Sequence, residues 1–178
     1  INGIGLPHVS NFPKGLVYID VSFDGNPESF KSKERISYSD LAHNIDRLAS
    51  LGLRMNALQT VYGENVEQVD SMMQIREIDG LERIMFSPYI DTRNYGKDGV
   101  SRVGLTRLLT SLLRSYRFRE DKNSIVLIDK YHIEQDSVSF DQIRDRIKEY
   151  GLHDKIKILE KNPLEYGIIR VTHDGLVL

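Results

Sequence analysis

Four short stretches place polar side chains directly after an apolar run. The first yields Ser22, Asp24 and Gly25, and the second Gln59, Thr60, Tyr62 and Asn65. The third yields Ser87, Tyr89, Asp91 and Arg93, and the fourth Asp129, Lys130, Tyr131 and His132. Hydroxyls, carboxylates and amides supply both donors and acceptors, which a polar small molecule needs in an otherwise apolar mouth. In parallel α/β sheets, ligands gather where strands end at their carboxyl edge. Four such exits on one rim form a candidate binding site. Some of these residues also have a plain structural reading, Asp24-Gly25 as an ordinary turn and Asn65 as a helix cap.

Other chemistries are poorly served. Neither GxGxxG nor GxxxxGK[ST] occurs, which argues against a Rossmann dehydrogenase and a P-loop nucleotidase. His8, His43, His132, His153 and His173 are scattered without metal-ligand spacing, and His43 and His153 are expected to face solvent. Ser10, Ser22 and Ser87 lack a GxSxG context. Lys130, at a strand end, leaves open a Schiff-base lyase.

The elements that must position these residues follow a regular order. VYIDVSF (17–23) reads as a mostly buried strand, and Ser37 as the N-cap of a helix carrying Leu41, Ile45 and Leu48, stopped at Gly52. RMNALQTVY (54–62) is a strand, followed by a helix with Val66, Val69 and Met73 on one face and a stop at Gly80. ERIMFSPYI (82–90) is a strand broken by Pro88; residues 102–117 place Leu105, Leu108, Leu109, Leu112 and Tyr116 at helical spacing. SIVLID (124–129) is a buried strand, and Ser139 to Gln142 spells a capping box before a helix with Ile143 and Ile147, stopped by Gly151. KIKILEK (155–161) is again strand, and 167–178 reads as a hairpin turning at His173-Asp174-Gly175. The expected fold is a single α/β domain over 1–178: a mostly parallel sheet of βαβ units, either doubly wound or an incomplete (β/α) barrel, with a C-terminal β-hairpin.

Composition sets the outer bounds. With 178 residues, 40% hydrophobic and 28% charged, the chain suits one domain, and its net charge of −2 does not favour a nucleic-acid partner. The apolar runs are too short for a membrane span and no signal-peptide pattern opens the chain, so a cytoplasmic location is expected. There is no cysteine, which removes disulfides, thiolate metal sites and cysteine nucleophiles from this stretch. Ile1 and Leu178 make the chain read as part of something longer.

The order of motifs resembles a known family. NG-x-G-L (2–6), SFDG (22–25), DLAHNIDRLASLGLRMNALQTVYGEN (40–65) and GLERIMFSP (80–88) are similar to the middle and later repeats of radical S-adenosylmethionine (SAM) enzymes, and RVTHDGLV (170–177) to a segment that follows their barrel. The resemblance implies a partial (β/α)₆ barrel in which a [4Fe–4S] cluster and SAM generate a 5′-deoxyadenosyl radical that abstracts hydrogen from a substrate. It implies that Ser22 and Asp24 lie near the ribose or methionine of SAM, Thr60 and Asn65 by the fifth barrel strand, and Ser87, Pro88 and Tyr89 near the adenine. The chain departs from the family by lacking the CxxxCxxC segment and the Gly-Gly-Glu type strand. The cluster ligands are therefore expected outside this chain, and the chain alone is expected to be inactive. Loss of the first βα units is expected to expose a sheet edge, making the isolated chain poorly soluble or oligomeric. A non-catalytic nucleotide-sensing or scaffold domain is the alternative.

Overall fold

The computed structural model describes residues 19–23, 37–89 and 101–159. Within them, five strands form one all-parallel sheet: β1 (Ile19–Phe23), β2 (Met55–Val61), β3 (Leu81–Pro88), β4 (Ser124–Asp129) and β5 (Ile156–Leu159). Their spatial order, β1-β2-β3-β4-β5, is the order of the chain and never reverses. Where strands follow chain order, right-handed crossovers put the connecting helices on one face of the sheet. A doubly wound sheet needs a reversal, so of the two expected architectures the described strands follow the barrel-like one, as an open arc. The expected hairpin at 167–178 lies outside the described residues.

The α/β alternation follows from local signals. Helix α1 (Tyr38–Ser50) begins at Ser37, whose Oγ accepts the Asp40 N–H at 3.1 Å, and buries Leu41, Ile45 and Leu48. Gly52 follows at φ +82°, a left-handed conformation that favours glycine. Helix α6 (Phe140–Glu149) has the expected capping box: Ser139 and Gln142 bond each other's backbone N–H at 3.2 and 2.8 Å. Its buried Ile143 and Ile147 lie one turn apart, and Gly151 ends it at φ +66°.

Three expectations change. The segment after β2 is not one helix: a short α2 (Val69–Met72) lies between 3₁₀ turns at Val66–Gln68 and Met73–Glu77. The buried residues Val66, Val69, Met72, Ile75 and Ile78 recur every third position, which is the 3₁₀ period and not the α period. The 102–117 helix divides at Ser115 into α3 (Leu105–Arg114) and α4 (Tyr116–Glu120). Ser115 Oγ accepts the Phe118 N–H and donates to the Asp70 carboxylate, so a cap replaces the continuing helix; Tyr116 turns outward and is 64% exposed. Pro88 closes β3 instead of breaking it, and the next residue's N–H bonds Val61 O at 2.7 Å. One helix, α5 (Lys130–Gln135), was not expected from the sequence.

The two sheet faces differ. Phe23, Gln59, Phe86, Val126 and Ile156 share one row across all five strands and are buried. The opposite row Ser22–Leu58–Met85–Ile125 runs from an exposed hydroxyl to buried or half-buried apolar groups. β1 is thus buried on one face, through Ile19, Val21 and Phe23, with Asp20 and Ser22 exposed on the other. Gly80, just before β3, lies close against α1: a Cβ there would lie 2.9 Å from Ile45 Cγ2, 3.0 Å from Ala49 Cβ and 3.1 Å from Ile45 O. Gly80→Ala must displace the α1 backbone, so it is expected to lower stability by about 1–3 kcal/mol in chemical unfolding. An unchanged midpoint would show that α1 is not so tightly seated.

Candidate functional site

Parallel strands bring their carboxyl ends to one edge, and the register decides which side chains share a face there. Thr60 and Ser87 are direct register partners, both half-buried. Ser22 lies on the same face one row lower, against Leu58. Three hydroxyls from three consecutive strands therefore border the apolar patch of Leu58, Met85 and Ile125. Pro88 faces the helices and is buried, as the next residue along from Ser87 must be in a strand. Asp24, Asp91 and Arg93 lie outside the described residues.

Asn65 works within its own loop. It is 4% exposed; its Oδ1 accepts the Tyr62 N–H and its Nδ2 donates to Thr60 O, both at 2.9 Å. These bonds fold residues 60–65 back on themselves and hold the strand end that carries Thr60. Gln59 is also buried, on the helix face, and its Nε2 donates to Met72 O at 3.3 Å.

The β2 exit also grips both sides of the connection that leaves β3. Tyr89 N–H bonds Val61 O at 2.7 Å, while Gly63 N–H bonds Ser101 O at 2.7 Å. Glu64 completes the second grip by accepting the Ser101 N–H at 3.0 and 3.1 Å. Hydrogen bonding to the Ser101 side chain, then to its backbone, holds the Glu64 carboxyl below its usual 4.5. A depressed acid stabilises the fold above its unfolded value, and this contribution disappears as pH falls through the lower folded value. The Ser101 amide resonance is thus expected to shift together with the Glu64 carboxyl, with a midpoint below 4.5. A midpoint at or above that value would mean that Glu64 does not hold Ser101.

At the β4 exit, His132, read from the sequence as one of the rim residues, has its ring bonded to two strands. It is 4% exposed and joins Asp129 to Pro88, while His43 and His153 face solvent as expected. The sequence signal for this bonding was its place three residues after the last strand residue, where a side chain can fold back onto the strand end. Asp136, at the end of α5, accepts the Leu105 N–H and pairs with Arg102. It caps α3 from a distance because the preceding residue, Gly104, has no side chain to do so.

Among the described residues, no group of three or more His, Asp or Glu side chains is arranged to hold a metal ion, and no helix is long and apolar enough to cross a membrane. Comparison with family models, curated proteins and solved structures gave no match.

Proposed function

We propose that this chain is the SAM-binding wall of a radical SAM enzyme, with the adenosyl ligand seated on the rim of Ser22, Thr60 and Ser87. The observation that carries the reading is the placement of these three hydroxyls on one face, at the carboxyl edge of a parallel sheet that never reverses. Hydroxyl groups can both donate and accept, as ribose hydroxyls require, and Leu58 and Met85 beside them offer apolar contact to a base. Asn65 holds the Thr60 strand end in place. The motif order of residues 2–6, 22–25, 40–65 and 80–88 points the same way.

A [4Fe–4S] cluster does not fit this chain, because its thiolate ligands are absent: the sequence has no cysteine. The reading therefore assigns the cluster ligands to a segment outside these residues, and hydrogen abstraction to the assembled protein. The same absence favours a second reading, a non-catalytic domain that binds a nucleoside without redox chemistry. Iron and sulfide analysis of the anaerobically purified full-length protein separates the two. About four irons per chain, the cluster stoichiometry, supports the enzyme; an iron-free protein that still binds SAM supports the binding domain.

A further inference from the structure

The β3–β4 ladder ends early. Its pairing stops at Phe86–Val126, although β3 continues to Pro88 and β4 to Asp129. On either side the sheet stays closed further up: β2 pairs with β3 as far as Val61–Pro88, and β4 with β5 as far as Asp129–Leu159. Among the described ladders, β3–β4 is the one in which both strands run on past the last pair.

The His132 ring lies beyond that pair. Its Nδ1 accepts the Asp129 backbone N–H at 2.9 Å, and its Nε2 lies 2.7 Å from Pro88 O. A nitrogen that accepts carries no hydrogen, so the ring proton belongs on Nε2, which donates to Pro88 O. The His132 backbone N–H returns to Asp129 Oδ1 at 3.3 Å. The Asp129 carboxylate also lies 3.1 Å from Nδ1. A direct ladder bond would join a strand N–H to a neighbouring carbonyl. Here an N–H of β4 and a carbonyl of β3 are joined through an imidazole instead.

We propose that His132 is a positioning residue, spliced as a neutral Nε2–H imidazole between β3 and β4 to keep their exits apart. The splice then widens the carboxyl edge, where α/β sheets bind ligands. Ser87 stands on its β3 side and Asp129 on its β4 side. With respect to ligand, the inference rests on the adenosyl reading above; with respect to the splice, it stands independently.

The test uses the full chain with His132→Gln and His132→Leu. A glutamine amide keeps one donor and one acceptor, whereas leucine keeps bulk but no polar atom. In the wild type, long-range ¹⁵N–¹H correlation is expected to report the Nε2–H tautomer. Exchange of the Asp129 amide is expected to rise about tenfold in His132→Leu, the worth of one hydrogen bond, and to stay near wild type in His132→Gln. SAM affinity by calorimetry should follow the same order, with Gln close to wild type and Leu weakened. An Nδ1–H tautomer, a charged ring at neutral pH, or equal Asp129 exchange in all three proteins overturns the splice. Wild-type protein that shows the tautomer and the exchange pattern but binds no SAM supports the splice and refutes the adenosyl reading instead.

Discussion

Replacing Thr60 by Val and Ser87 by Ala together is expected to weaken SAM binding between about tenfold and a hundredfold. Each change removes one hydroxyl and little volume. A neutral hydrogen bond contributes about 0.5–1.5 kcal/mol net, and 1.4 kcal/mol is a factor of ten in affinity. The two side chains are register partners on the same face, so one ligand edge can reach both. Both are only half-buried, so the fold does not depend on their hydroxyls and the thermal midpoint is expected to move by only a few degrees. Calorimetric titration of SAM into wild type and double variant decides the matter. Equal affinity in the two proteins would move the ligand off these strands.

The largest loss of stability is expected at Phe118. Its ring is fully buried, meets Phe86 edge-on with centroids 5.8 Å apart, and lies 5.0 Å beneath the Lys155 ammonium. Lys155 also donates to Phe118 O and Asp121 O at 2.7 and 2.5 Å, fastening the end of α4 to the start of β5. Truncating a buried phenylalanine costs about 3–5 kcal/mol in lost transfer energy and cavity formation. That is a large share of the roughly 5–15 kcal/mol that holds a domain together. Urea unfolding of Phe118→Ala measures it; a loss under about 1 kcal/mol would mean that the site collapses around the cavity. Phe86 carries this core across to the rim, since Ser87 is the next residue and points to the opposite face.

What could be read from the sequence was what neighbours in sequence determine. The caps at Ser37 and Ser139, the stops at Gly52 and Gly151 and the β4 strand are set within a few residues, and the structure has each of them. The misread elements depend on a distant partner or on a different local period. Helix 102–117 divides because Asp70, some forty residues earlier, bonds Ser115. The α2 region follows a period of three, which a search for α spacing passes over. The site divides in the same way. The strand-exit rule put Ser22, Thr60 and Ser87 at one edge, because a parallel sheet leaves strand ends no other, and the register puts them on one face. It did not separate Asn65, which shapes its own loop, from residues whose polar atoms face outward. It listed His132 at the β4 exit without revealing its bond to a carbonyl on another strand.

The central claim is that successive parallel strands present one adenosyl-binding rim, and SAM titration of the intact wild-type chain tests it most directly. The account predicts saturable binding that perturbs the amide resonances next to Ser22, Thr60 and Ser87 and leaves those of the exposed α1 surface around His43 unchanged. Absence of binding, or perturbations confined to the helical face, would contradict it.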